Sequence, residues 1–252
     1  MILKYSLPIL VMFAAQMAFA ATADKKTIVS IDKKGVSGSF ELGIQRTSGT
    51  SDTNNINGAI HIDQNLENWR NHYSFESIYS DSDDVTTAEI YRGSLQSDYK
   101  FNDKEFWYLR GQAERDLFSG YKYKSSVSTG YGNRVWQEED GSFLEASAGI
   151  GYRRNQIEIG TEEGSLDRGV ITRLAVKLTK KLSPTSAFRQ SLTTQINIEN
   201  LETVTESISS LQANIVNNFA MKLSYRIQYS SKVPTDTEKT DTETAVTLLY
   251  SF

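Results

Sequence analysis

Residues 221–230 read MKLSYRIQYS, and the stretch divides into two faces. Met221, Leu223, Tyr225, Ile227 and Tyr229 take the odd positions, while Lys222, Ser224, Arg226, Gln228 and Ser230 take the even ones. Side chains of a β-strand point alternately to opposite sides, so this pattern reads as a strand with one apolar and one polar face. Two settings are compatible with it. In a water-soluble sandwich the apolar face packs inward; in a membrane barrel it meets lipid and the polar face lines the lumen.

The beginning of the chain narrows the choice. Residues 1–20, MILKYSLPILVMFAAQMAFA, carry one lysine, an apolar run and then Ala18-Phe19-Ala20. That is the anatomy of a secretory signal peptide with a small-residue cleavage site, which places maturation near Ala21. A membrane-anchoring helix is the alternative, although the apolar run is short for one. Residues 21–35 then form a periplasmic stub, and 36–252 the folded domain.

Composition suits an exported β protein. Cysteine is absent, which excludes disulfides and thiolate metal sites. The 27 basic and 31 acidic residues are spread along the chain with no basic block, so nucleic acid is not expected as a partner. Hydrophobic content is only 38%, yet there are 13 tyrosines and 11 phenylalanines. A polar interior and aromatic rims account for that combination.

Period-2 alternation marks twelve segments: 36–48, 53–66, 69–80, 86–101, 104–118, 121–136, 142–154, 169–182, 186–199, 203–218, 220–232 and 241–252. In one, Tyr73, Phe75 and Tyr79 alternate with His72, Ser74 and Glu76; in another, Tyr121, Tyr123, Val127 and Tyr131 alternate with Lys122, Lys124, Ser126 and Ser128. Segments this long exceed ordinary strands and match tilted membrane strands with extensions. Beyond residue 20 the prolines are Pro184 and Pro234, both in connections, where no ladder hydrogen bond is lost.

With both termini periplasmic, Glu67-Asn68, Asn102-Asp103, Glu138–Gly141, Ser183–Thr185 and Asn217–Ala220 become short periplasmic turns, and the opposite connections are longer. Trp69, Trp107 and Trp136 lie beside those turns, joined by Phe101, Phe106, Tyr108, Phe143 and Phe188. This group reads as an interfacial girdle, since amphipathic rings favour the headgroup level. The chain ends ETAVTLLYSF. A last strand closing on an aromatic residue resembles the signal read by the outer-membrane assembly machinery, with Phe252 as its terminal residue. The expected fold is therefore all-β, a single antiparallel transmembrane barrel of twelve strands in outer-membrane lipid and lipopolysaccharide.

Two blocks carry a family resemblance. GIQRTSGTSDTNNINGAIHI (43–62) resembles the first hairpin, and YLRGQAERDLFSGYKYKSSVSTGYGNRV (108–135) the central hairpin, of the YdiY-like family of salt-induced outer-membrane proteins. Gly49-Thr50-Ser51 stands where a Gly-Asn-Thr form is commoner. The resemblance implies location and barrel fold over about 36–252; the salt-linked role comes only from the family's name, and no functional residues carry over. In the central block, Arg115, Asp116 and Lys122 are placed to pair near a tip where Gly120 supplies a positive φ.

Inward parity selects Arg110, Glu114, Arg134, Glu145, Arg153, Arg173, Lys177, Lys222 and Arg226 as lumen-lining residues, with Glu76, Arg92 and Asp98 nearby in the pattern. Mixed signs at these spacings suggest cross-strand ion pairs that constrict the barrel. Asp63 opposite His72, and His61 opposite Ser74, bring serine, histidine and aspartate into one hairpin. They point inward and no G-x-S-x-G elbow is present, so no catalytic residue is assigned. Acidic residues Asp81, Asp83, Asp84, Glu162, Glu163 and Asp167 could hold divalent cations or be plain solvated loops. No cofactor or dedicated metal site is expected. Three functions stay open: an envelope-stress barrel with a filled lumen, a narrow channel, and a membrane enzyme. The channel alternative rests on Ser126, Ser128, Gly130 and Gly132 beside Ser147, Gly149 and Gly151, a strip with little side-chain bulk.

Overall fold

The computed structural model describes residues 34–48, 53–82, 85–117, 119–157, 166–233 and 237–252. They form strands β1 (Gly35–Ser48), β2 (Thr53–Asn65), β3 (Trp69–Ser82), β4 (Val85–Lys100), β5 (Glu105–Asp116) and β6 (Tyr121–Gln137). The second half adds β7 (Phe143–Ile157), β8 (Leu166–Ser183), β9 (Ser186–Asn197), β10 (Thr203–Val216), β11 (Phe219–Ser230) and β12 (Thr240–Ser251). Each pairs antiparallel with its sequence neighbours, and β1 closes on β12. The expected signal peptide and the hairpin tip at Gly49-Thr50-Ser51 lie outside the described residues, as do Asp83, Asp84, Glu162 and Glu163.

Closure leaves no sheet edge, so the backbone satisfies itself within lipid. At the seam Gly38 and Phe252 exchange backbone hydrogen bonds of 3.0 and 2.9 Å. The short turns gather at one end, where Asn217 takes φ 49° in the tight β10–β11 connection. Asparagine tolerates that left-handed conformation better than most residues. Leu66 N–H donating to the Trp69 carbonyl at 2.8 Å closes the β2–β3 turn. That turn sets the register that places Asp63 opposite His72 and His61 opposite Ser74.

The two faces then sort as the alternation requires. Leu42, Ile56, Phe75, Leu95, Leu109, Val127, Ile150, Leu174, Leu223 and Leu248 all project from the outer wall and are exposed to the surroundings. Arg70, Asp98, Arg134, Glu145, Arg153 and Arg173 are buried on the inside. A wall that is apolar outside and charged inside is a membrane barrel. At the short-turn end Trp69 packs edge-on against Tyr99 (5.2 Å) and Tyr99 against Phe101 (5.6 Å), with Phe219 against Tyr250 (5.1 Å).

Two departures from strict alternation occur in β6, between Tyr121 and Tyr123 and between Arg134 and Trp136. A bulge between Tyr121 and Tyr123 resets the parity, so that Lys122 is exposed while the Tyr121 ring turns inward, 4.9 Å from Lys124 Nζ. A bulge inserts an unpaired residue, which period-2 counting cannot register. In the central hairpin Gly120 does adopt φ 75°, and the tip is closed by the Ser119 hydroxyl donating to the Asp116 carbonyl at 3.2 Å.

Leu223, 48% exposed on the outer wall, and Ser224 beside it on the inner wall test the orientation directly. Leu223→Arg should destabilise the refolded protein by about 2–4 kcal/mol near the bilayer midplane, and Ser224→Arg far less. Urea unfolding in lipid vesicles checks this; equal sensitivity at both positions would contradict the inside-out arrangement.

Candidate functional site: the charged lumen

The inner face holds two layers of ion pairs. In the layer nearer the short turns, Arg70 on β3 donates to Asp98 on β4 at 2.8 Å and to Glu145 on β7 at 3.1 Å. Arg134 on β6 reaches the same Glu145 at 3.6 Å. On the opposite wall Lys222 donates to Glu41 at 2.7 Å, the Thr247 hydroxyl to Glu41 at 3.2 Å, and His61 Nε2 lies 3.5 Å from it. The farther layer joins Arg92 to Glu114 (3.0 Å), Glu243 (3.0 Å) and Glu76 (3.9 Å). Arg226 contacts Glu206 and lies 3.9 Å from both Glu76 and Glu243, while Lys124 donates to Glu114 at 3.0 Å. Arg153 pairs with Glu202 at 2.7 Å.

Several of these contacts are chords rather than rungs. Arg70 and Glu145 sit four strands apart around the ring, as do Arg92 and Glu243, and Arg226 and Glu76. Four steps in a ring of twelve strands is a third of the circumference, so the side chains meet across the lumen. Among the described residues the lumen holds a cavity of about 510 Å³ at the short-turn end and a smaller one of about 250 Å³ beyond it. Ser74, Ser94 and Arg110 line both and mark the waist between them.

Aromatic rings complete the filling. Phe106, Tyr108 and Phe143, which composition and position assign to the girdle, are instead buried inside the barrel, Tyr108 completely. Arg70, Arg173 and Arg134 lie over their rings at 4.8, 5.5 and 4.5 Å respectively. A guanidinium on an aromatic face gains more when both are withdrawn from water. Parity carried the signal: Phe106 and Tyr108 share the face of Arg110 and Glu114, and Phe143 that of Glu145. Trp107, on the other parity, does face outward, with its indole N–H on the Thr129 hydroxyl at 2.8 Å.

The strip of small residues is therefore not an opening. A Cβ on Gly132 would fall 2.1 Å from the Phe106 ring, and one on Gly149 would fall 2.4 Å from the Tyr108 hydroxyl. These glycines are the seats of two rings contributed by β5, which adjoins β6 and lies two strands from β7. Reading bulk along a single strand cannot show what the next strand lays across it.

The histidines form carboxylate pairs. His72 Nδ1 contacts Asp63, and its Nε2 lies 4.0 Å from Asp98. Neither histidine hydrogen bonds to a serine hydroxyl among the described residues, so the hairpin lacks the nucleophile–base contact of a triad.

Among the charged residues expected to line the lumen, Glu114, Arg134, Glu145, Arg153, Lys222 and Arg226 (with their opposite-signed neighbours) belong to the pairs above. Arg110, Arg173 and Lys177 differ. Arg110 donates to Gln96 and Gln112, both at 3.4 Å, and Arg173 rests on Tyr108. Lys177 stands opposite Glu145 in register without a direct ion pair. Arg189, on the inner face of β9, donates to Gln212 at 2.6 Å and likewise makes no direct ion pair among the described residues. Its neutral neighbours in sequence give no mark of this, because the contrast appears only when the acidic partners of the other cations are known.

The comparisons agree with this geometry. The chain belongs to the family described as "Protein of unknown function, DUF481", whose model matches residues 40–252. A curated relative, "Uncharacterized protein YdiY" of Escherichia coli (strain K12), is 25% identical over 98% of both chains. Among solved structures, the NanC porin is 12% identical with TM-score 0.53, over 84% of this chain and 98% of that one. The translocator domain of the autotransporter NalP from Neisseria meningitidis is 10% identical with TM-score 0.51, over 88% and 90%. A porin and a translocator share the likeness, so it describes the barrel and not what passes through it.

Gly132→Ala should cost about 1–3 kcal/mol by overpacking against Phe106, and Phe106→Leu in the same chain should recover most of that. A double-mutant cycle on urea unfolding in micelles measures the coupling; additive effects would show that the ring does not occupy the glycine.

Proposed function

We propose that the protein is an integral outer-membrane barrel, an envelope component whose lumen is closed at its waist rather than an open pore. The location is supported by the apolar outer wall, the aromatic belt at the short-turn end and the likeness of fold to outer-membrane proteins. On this reading the short turns face the periplasm, the outer wall meets lipid and lipopolysaccharide, and Phe252 presents the terminal aromatic residue to the assembly machinery. The association with salt stress rests on the family resemblance alone. Chemistry at the histidines is disfavoured because each is held against carboxylates inside the lumen.

The observation that carries the closed-lumen reading is the set of cross-lumen ion pairs, Arg70–Glu145, Arg92–Glu243 and Arg226–Glu76. A barrel of this width lies between those that side chains fill and those that leave an aqueous channel. Long side chains meeting across it support the closed reading. Breaking one such buried pair leaves an uncompensated charge, at a cost of about 3–5 kcal/mol, so the chords are not easily swung aside.

A second reading, a narrow anion pathway, is favoured by Arg110, Arg173, Lys177 and Arg189, cations with no direct ion pair among the described residues. Planar-bilayer recording of the refolded protein separates the two. The wild-type protein should be silent, and removal of both partners in Arg70→Ala/Glu145→Ala combined with Arg92→Ala/Glu243→Ala should produce steady steps. Steady wild-type conductance that changes with Arg110→Ala or Arg173→Ala would establish the pathway instead.

A further inference from the structure

The larger cavity is electrically lopsided. On the wall formed by β1, β2, β3 and β11 each carboxylate has a partner: Glu41 has Lys222 at 2.7 Å and His61 Nε2 at 3.5 Å, and Asp63 is in contact with His72. The wall formed by β8, β9 and β10 is built otherwise. Lys177 and Thr179 from β8, Arg189 and Ser191 from β9, and Ser210 and Gln212 from β10 line the same cavity. The register makes them one patch: Lys177 pairs with Ser191, Thr179 with Arg189, and Arg189 with Ser210. Two cations, three hydroxyls and an amide stand together there; the adjoining carboxylate, Glu145 on β7, stands opposite Lys177 in register but is paired with Arg70 and Arg134.

Lys177 and Arg189 are diagonal neighbours across the β8–β9 pair, which sets them about 7–8 Å apart at the backbone. A carboxylate or phosphate group fits between side chains springing from such positions. Between them stands Thr179, only 5% exposed, whose hydroxyl oxygen is buried without a hydrogen-bond partner. A buried hydroxyl left unsatisfied costs free energy that a partner would recover. Arg189 is already oriented by its bond to Gln212, which leaves the rest of its guanidinium fork free of any carboxylate. Charged donors backed by a neutral hydroxyl are what an oxyanion needs.

We infer that the patch formed by Lys177, Thr179 and Arg189 is a binding site for the carboxylate or phosphate group of a small soluble acid, entering the larger cavity from the short-turn end. The cavity of about 510 Å³ accommodates a molecule of a few tens of heavy atoms at most, consistent with an ordinary small-ligand pocket. Its mouth carries Ser37, Asn217, Asn218 and Ser251, uncharged groups that present no barrier to an anion. Under the closed-lumen reading this is a dead-end site; in a conducting barrel it would be the first station of the pathway. The binding site stands in either case.

The test is calorimetric titration of the full-length refolded protein with inorganic phosphate and, separately, with acetate. It uses glucoside micelles at low ionic strength, because such a detergent offers no phosphate headgroup to compete and surface charges stay unscreened. Saturable binding should weaken about tenfold in Lys177→Gln and in Arg189→Gln, and less in Thr179→Val. Arg189→Lys should retain more affinity than Arg189→Gln. Heat-modifiable gel mobility identifies variants that have folded, and only those are compared. Absence of saturable binding in the wild-type protein, or unchanged affinity in the folded Lys177→Gln/Arg189→Gln variant, would overturn the assignment. Bilayer recording of the same preparations keeps the outcomes apart, since conductance bears on the closed waist and not on the site.

Discussion

A charged side chain inside a narrow barrel cannot rely on bulk water, and this constraint organises the interior. Each carboxylate or guanidinium directed inward loses hydration, and only an opposite charge with good hydrogen-bond geometry compensates for it. Adjacent strands supply some partners, as in Arg92–Glu114. Others come from a third of the way round the ring, as in Arg70–Glu145 and Arg92–Glu243. The same contacts that neutralise the charges run across the lumen.

The aromatic layer follows from the same constraint. A guanidinium offers five donors, and carboxylates alone do not surround it. Arg70, Arg134 and Arg173 each complete their surroundings on a ring, and the rings need room that glycine provides on β6 and β7. A stretch that looks empty along the sequence is thus the receiving half of a packed layer. The cations left outside both arrangements, Lys177 and Arg189 above all, are the ones whose environment is incomplete without a further anion.

Much of this was legible before the structure. Alternation placed all twelve strands to within about three residues of their ends, because a wall with lipid on one side and charge on the other enforces the period of two. The register of the β2–β3 hairpin followed from a two-residue turn, so the Asp63–His72 and His61–Ser74 pairings could be read directly. Three things were hidden. The β6 bulge turned Tyr121 inward, since an inserted residue breaks a count that assumes none. Phe106, Tyr108 and Phe143 were drawn to the girdle by their chemistry although their parity spoke for the lumen. Partner choice was the largest gap: inward parity names the charged residues, but which carboxylate a given arginine meets depends on closure of the ring and on side chains from strands far apart in sequence. For that reason Arg189 could not be told from Arg226.

The chain contains no cysteine, so a single introduced thiol is unique and reports directly on whether the waist is open. Ser210 lines the cavity at the short-turn end and Ser230 the cavity beyond the waist. Ser210→Cys and Ser230→Cys, each reconstituted in oriented bilayers, can be treated from one side at a time with a membrane-impermeant thiol reagent. The expected result is labelling of Ser210→Cys only from the short-turn side and of Ser230→Cys only from the other. Labelling of either thiol from both sides would show a continuous aqueous path and contradict a lumen closed by its own ion pairs.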